Sequence, residues 1–441
     1  MKQSLCVWVA AVAAGLMLPA SASAQVTAVN GRIAFNVCEY NSTIGFTTCD
    51  IWTVNADGSS QTNLTNTPDV NEIDPAWSAD GTRIAFVEGF NGVNRLLTMN
   101  GDGSNVVPVL DAPSFQFGPS WAPDGTQIAF VRQVPGIVMG LQFDIFVVNT
   151  DGTGEVNITS SDFEELFPAW SPDGTRIAFA GVRFEQRTDP DTGNTETFAG
   201  YEIVTVNPDG SGEQILSAGD PGTPRAQSLE QDWRPAWAPD STALVFSSQS
   251  VDPCCTPWQI WYVRRDGTGI TLLSPDPAFN DGDPSFSPDG TLILFSSDRD
   301  GGSDLYTIPV PTLAGPAPPA TGALPAATTA QVTRLTSQGN VSDPSWGRDP
   351  GTTPPAQATL TVSMQMQPRA GGLVASFPLG IFCGRDCTET YETGTVVLLL
   401  AVPRIGSRFA GWTGACTTPR PYCIVTMNAS KNVGAKFVRA R

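Results

Sequence analysis

The stretch "FPAWSPDGTRIAFAG", residues 167–181, decides the fold, because the chain repeats it. Close copies read "DPAWSADGTRIAFV" from Asp74, "GPSWAPDGTQIAFV" from Gly118, "RPAWAPDSTALVFSS" from Arg234 and "DPSFSPDGTLILFSS" from Asp283. In each, "PAW" is short and extended. "PDG" is a tight turn in which glycine supplies the positive φ that a hairpin requires. "RIAFA" is a β-branched and aromatic run of the kind buried on both faces of a sheet. A third strand follows, as "DIWTVN", "DIFVVN" or "WQIWYVR". Most copies then pass through a second Asp-Gly turn into a fourth strand such as "QTNLTN" or "ITLLS". Four antiparallel strands joined by tight turns make one blade of a β-propeller.

Outward from one copy, the marker aromatic falls at Trp77, Trp121, Trp170, Trp237, Phe286 and Trp346, with spacings of 44, 49, 67, 49 and 60. Periods of this size signal propellers or related arrays. The "IAF" strand and the "PAW" strand each occur six times, but out of step. The first "GRIAF" has no "PAW" before it, and the last "DPSW", at Asp343, has no "IAF" after it. The expected solution is an all-β, six-bladed propeller closed by its C-terminal inner strand, which removes an open sheet edge. The motif P-x-W-S-P-D-G-x-x-I-A-F followed by D-I-W-x-V-N resembles the TolB-type propeller repeat over about residues 30 to 347. That resemblance implies a periplasmic protein-binding platform whose partners enter the channel mouth.

The ends of the chain read differently. Lys2, the apolar run "LCVWVAAVAAGLMLP" and the small residues "SASA" read as a signal peptide over residues 1–24, cleaved after Ala24. The expected domains are the signal peptide, a propeller over 25–349, a Pro/Gly/Thr linker over 350–358 and a small β domain over 359–441. The protein is therefore expected to be exported, to the periplasm or outside the cell, with no membrane span after cleavage. A formal charge of −19 repels phosphate backbones and argues against nucleic acid as a partner. There is no histidine, which excludes histidine triads, ligands and acid–base pairs. Neither a nucleophile elbow nor a phosphate-binding glycine loop is present.

The loops after strands two and four of each blade vary widely, while the other turns are tight, so variation gathers on one face. The Pro/Ala insert 311–330 should project from the opposite face. Aromatic candidates on the variable face are Tyr40, Phe46, Phe163, Phe184, Phe198, Trp233 and Trp258. The residues that open the inner strands, Asp74, Gly118, Phe167, Arg234, Asp283 and Asp343, should line the channel mouth, with Glu165 and Asp232 just before two of them. The candidate binding residues are thus Asp74, Glu165, Asp232, Trp233, Arg234, Asp283 and Asp343. The leading expectation is a non-enzymatic scaffold that binds a protein or extended peptide there. The alternatives are a metal-dependent propeller hydrolase such as a lactonase, and a glycan-binding protein. No cofactor is expected; the ring of carboxylates would admit at most a calcium ion in the channel.

Eight cysteines remain after the leader. Cys38 and Cys49 flank one loop and are placed to staple it. Cys254 and Cys255 are adjacent, either a vicinal disulfide or two thiols. In the tail, Cys383, Cys387, Cys416 and Cys423 allow three connectivities, of which local pairing, 383–387 and 416–423, is expected; staples suit so small a core. A zinc site is the alternative. The features G-G-x-V, "GIFCGRDC", Y-x-x-G-T-x-V, "GWTGAC" and "CIVTMN" resemble the divergent internalin-type bacterial repeat over about 359 to 438. The resemblance implies a β-grasp or immunoglobulin-like appendage that serves adhesion or interaction, with an envelope or cell-surface partner.

Overall fold

The computed structural model describes residues 30–42, 45–90, 93–110, 114–135, 141–188, 195–217, 230–250, 256–274, 276–310, 332–350, 357–368, 370–377, 381–383, 387–393 and 395–440. The leader, the adjacent pair Cys254–Cys255, the Pro/Ala insert and most of the expected linker lie outside the described residues. Those residues are all-β, with no helix among them. The chain divides into two compact units, one ending at Pro354 and one beginning at Pro355.

In the first unit the repeat appears as four-strand sets. β1 (Asn30–Asn41), β2 (Phe46–Val54) and β3 (Thr62–Asn63) are completed by β24 (Val341–Arg348), which pairs with β1 antiparallel. β4 (Asn71–Trp77) to β7 (Val107–Pro108) form the next sheet, and β8 (Gln116–Trp121) to β11 (Val156–Asn157) the one after. β12 (Glu165–Trp170) to β15 (Gln214–Ile215) and β16 (Glu230–Trp237) to β19 (Thr271–Leu272) are two further sets, joined by one parallel pairing of Tyr201 with Gln231. β20 (Asp281–Phe286) to β23 (Thr333–Arg334) is the last.

What holds neighbouring sets together is the "IAF" strand and its aromatic. Trp121 packs with Ala85, Leu96, Ile128 and Phe130, which come from two successive sets. Trp170, Trp237 and Phe286 mark the same kind of cluster at the following junctions. Trp346 on β24 packs with Ile33, Phe35, Leu294 and Leu305, joining the last set to the first. Trp77 is only half-buried, against Ala34, Ile51, Ile84 and Phe86. The indole N–H of Trp121 donates to the Ala76 carbonyl (2.9 Å) and that of Trp237 to the Ala169 carbonyl (3.0 Å), so these tryptophans also tie one inner strand to the next.

The turns explain the rest of the phrase. In "SPDGT" the Ser171 hydroxyl donates to Asp173 (2.6 Å), and Asp173 accepts from the Thr175 backbone N–H (2.9 Å) and hydroxyl (2.8 Å). One carboxylate oxygen therefore builds a local turn, and the other pairs with Arg265. Gly81 occupies the equivalent turn after β4 at φ +69°, where a Cβ would lie 2.0 Å from the Arg348 carbonyl oxygen.

The structure corrects two expectations. The fourth strands are only two residues long. In "NLTN" the Asn63 side chain accepts from the backbone of Thr65 (3.2 Å) and Asn66 (3.0 Å), folding the chain away from the sheet. Its amide also donates to Asp50 (2.7 Å), the acid that opens "DIWTV", and Asn157 repeats that bond with Asp144 (2.6 Å). The insert after Val182 is largely a hairpin, with β13 (Ile177–Thr188) paired to β14 (Thr195–Val206) along its whole length.

The second unit has two sheets around one core. One has the order β28 (Thr388–Glu392), β25 (Gln357–Met366), β32 (Lys431–Arg439), β30 (Ser407–Gly414). The other has β27 (Phe382–Cys383), β26 (Gly372–Phe377), β29 (Val396–Pro403), β31 (Tyr422–Thr426). Leu360, Val374, Leu399, Trp412 and Phe437 fill the space between them. Among the described residues the disulfides are Cys38–Cys49, Cys383–Cys387 and Cys416–Cys423, the local pairings expected.

Removing a marker aromatic should open a junction rather than a surface. Trp237→Ala is expected to cost about 3–5 kcal/mol in urea unfolding of the first unit; a loss below about 1 kcal/mol would contradict its place between two sheets.

Candidate functional site

The six residues that open the inner strands share an uncommon backbone. Asp74, Gly118, Phe167, Arg234, Asp283 and Asp343 have φ of +54°, +60°, +55°, +53°, +51° and +52°. Each precedes a proline, and at each the pairing with the second strand slips in a bulge. A left-handed non-glycine residue costs roughly 1–2 kcal/mol, and a bulge re-aims the side chain it carries. Repeated at every inner strand, the device turns the opening residue of each set toward a shared space.

Five of the six meet through Arg234. Its Nε pairs with Asp283 at 3.0 Å, and its Nη1 pairs with Asp343 and lies 3.7 Å from Asp74. Its guanidinium carbon stands 4.3 Å from the Phe167 ring centre. The sixth joins through its backbone: Gly118 N–H donates to Asp74 Oδ2 at 3.0 Å. Outer partners fix the acids further. Asn36 donates to Asp343 (2.5 Å) and the Ser296 hydroxyl to Asp283 (2.9 Å). Three carboxylates thus face one guanidinium. Burial works against the Arg234 charge, but the three carboxylates outweigh it and hold its pKa above the ordinary arginine value. Burial and then the Asp343 charge push Asp74 up to about 6. Burial likewise raises Asp283. This donor set is already engaged by a guanidinium, so it does not fit a calcium ion without moving Arg234.

The acids stand on β20, β24 and β4, and the other side of the space is aromatic. Phe117 and Phe143 (5.4 Å between ring centres), Phe117 and Phe167 (5.9 Å), Phe167 and Trp233 (5.8 Å), and Trp233 and Trp258 (5.2 Å) form a continuous ladder. Phe115 extends it at one end, and Tyr201 packs on Trp233 from the side. These rings lie 4.5–7 Å apart, the range in which aromatic pairs attract.

The sequence brought most of this set together but misplaced two members. Glu165 and Asp232 are 3% and 1% exposed, so neither lines an open mouth. Glu165 turns to the Ser161 hydroxyl of the preceding loop, as Glu72 does to Thr67. Both glutamates are pushed up to about 7, chiefly by burial. They tie the incoming loop to its strand. Tyr40 and Phe46 are exposed on the hairpin stapled by Cys38–Cys49, and Phe163 and Phe184 form a separate exposed pair (4.9 Å). The Phe198 side chain lies outside the described residues. Phe115, Phe117, Phe143 and Tyr201 were missed. The signal was the alternation in "FQFGP", which sets two rings on one face just before Gly118.

Residues 24–189 match the family described as the TolB beta propeller domain, and residues 362–441 match the divergent InlB B-repeat domain. Residues 24–189 of the first unit thus match a TolB-type propeller and the tail a divergent internalin-type repeat, as the resemblances implied. TolB from Acinetobacter baumannii superposes with a TM-score of 0.52 at 15% identity, over 72% of this chain and 67% of that one. Hydrazine synthase from Kuenenia stuttgartiensis gives 0.53 at 14%, over 72% of this chain and 46% of that one. At these identities the likeness is one of fold.

Two outcomes follow from the charges. Asp74, Glu72 and Glu165 bind protons more tightly folded than unfolded, so each adds stability below the unfolded pKa near 4. Each loses that stability as pH rises through 6 or 7. The melting temperature should therefore rise on going from pH 8 to pH 5.5, and Glu165→Gln should flatten the rise; a fall over that window would contradict the burial of these acids. Arg234→Met strands three carboxylates and should cost about 3–5 kcal/mol at pH 7.5, with part recovered at pH 5.5.

Proposed function

We propose that this chain is an exported, non-enzymatic binding scaffold whose first unit is a closed six-bladed propeller and whose ligand is an extended peptide segment of a protein. Closure is supported by the pairing of β1 with β24 and by the aromatic cluster that joins the last strand set to the first. Export is supported by the apolar leader with its small-residue site and by three disulfides, which persist in oxidising compartments. The observation that carries the binding reading is the two-sided mouth: excess carboxylate on β4, β20 and β24, and an aromatic ladder from Phe115 to Trp258 opposite.

Such a mouth selects a segment with a lysine or arginine beside an aromatic or large apolar residue. The cation approaches Asp74, Asp283 and Asp343 and shares them with Arg234. The apolar neighbour lies along Phe167 and Trp233. The net charge of −19 steers a basic segment inward, an effect that weakens as salt rises. Rigid inner strands hold the groups in place, so little ordering is spent on binding.

Random peptides displayed on phage and selected on the chain should enrich Lys or Arg next to Trp, Tyr, Phe or Leu. A selected peptide should bind at least tenfold more weakly to Phe167→Ala and to Asp343→Asn, and more weakly in 0.5 M salt. Enrichment of acidic peptides, or equal binding by both variants, would sink the reading.

A further inference from the structure

The tail carries a surface that the propeller reading does not use. β29 reads "VVLLLAVP", a run without the alternation of a half-buried strand. Its inward residues Val397, Leu399 and Ala401 are buried in the core, yet its outward residues are also apolar and exposed. Register extends this into a face. Phe382 pairs with Ala375, Ala375 with Leu400, and Leu400 with Tyr422; one row along, Phe377 pairs with Leu398 and Leu398 with Ile424. Phe377 is 71% exposed, Ile424 57% and Phe382 54%. None of the described residues of these four strands is charged. The 21 residues of the four strands, at about 4.8 by 3.4 Å each, span roughly 340 Å², the size of the largest apolar patch on a typical monomer, which is often functional. The other sheet of the same unit behaves normally: its outward residues include Thr361, Ser363, Gln365, Thr413 and Lys436.

Charge indicates what covers the face. Residues 359–441 contain nine Lys and Arg against three Asp and Glu; the whole chain has 24 against 43, which leaves 15 against 40 for residues 1–358. The tail is a basic module on an acidic chain. Exposed Arg404 and Arg420 stand at one end of the apolar face, Arg404 just after β29 and Arg420 just before β31, where its Nη1 donates to the Tyr422 hydroxyl (2.7 Å). Ile405, 93% exposed, tips the turn that leaves β29. Positive charge on both copies opposes stacking two such faces, whereas an apolar plane edged by arginine and tyrosine fits a lipid surface. Its apolar residues enter the acyl boundary, and Arg404, Arg420 and Tyr422 meet headgroups. Screening over about 8 Å in physiological salt makes this local charge count despite the acidity of the rest.

We propose that the outer face of the β27–β26–β29–β31 sheet docks the chain on a lipid bilayer carrying anionic headgroups. The test is flotation of the full chain with vesicles of equal phosphatidylglycerol and phosphatidylcholine, beside phosphatidylcholine alone. The chain should float with the anionic vesicles and at least tenfold less with the neutral ones. The pair Leu400→Ser and Ile424→Ser should lower anionic partition at least tenfold, as should the pair Arg404→Glu and Arg420→Glu. Lys436→Ser, on the opposite sheet, should leave it unchanged. Near-ultraviolet circular dichroism of the full chain checks folding, and if the apolar pair perturbs it, the exposed arginine pair decides. Three results would overturn the proposal. One is no flotation. Another is equal flotation of wild type and the arginine pair. The third is a concentration-dependent dimer, abolished by the apolar pair, in a chain that ignores vesicles.

Discussion

A residue held left-handed ahead of a proline, at the start of every inner strand, is the constraint on which the site depends. Ordinary extended backbone there would continue the pairing with the second strand and keep the side chain on a face of its own sheet. The bulge breaks that pairing and sends Asp74, Phe167, Arg234, Asp283 and Asp343 to one place. The conformational cost falls on the five residues other than Gly118, so the packed sheets must hold it. They do so through the aromatic two residues past each proline, wedged at the junction with the neighbouring set. The repeated phrase is therefore scaffold, and its one variable opening letter sets what faces the shared space.

That division explains what the sequence made legible. The fold could be read because strand, turn and aromatic recur in register, and each recurrence has a local cause: the Asp173 carboxylate closes its turn on Thr175, and Trp121 reaches the Ala76 carbonyl of the neighbouring set. The tail disulfides could be read because close cysteines needed only a short hairpin or turn. The extent of the fourth strands could not, because side-chain bonds of Asn63 and Asn157 end them, and such competition is invisible in a pattern of apolar letters.

The site was legible as a set of positions and not as a set of bonds. Arg234 and Asp74 are far apart in sequence, and only the three-dimensional arrangement of the strand starts shows that the one cation sits among three acids. The acidic mouth expected from the letters is thus partly neutralised from within. Glu165 and Asp232 failed as mouth residues for a related reason. They lie before the bulge, where alternation still turns them into the sheet. The aromatic ladder was half seen, since Phe167, Trp233 and Trp258 stood out while Phe117 and Phe143 did not.

Hydrogen–deuterium exchange with a selected basic–aromatic peptide bound tests the central claim most directly. The account predicts slowed exchange at the starts of the inner strands, around Asp74, Phe167, Arg234, Asp283 and Asp343, and unchanged exchange in the Asp-Gly turns at the other end of those strands. Protection confined to those turns or to the tail, with the strand starts unchanged, would contradict it.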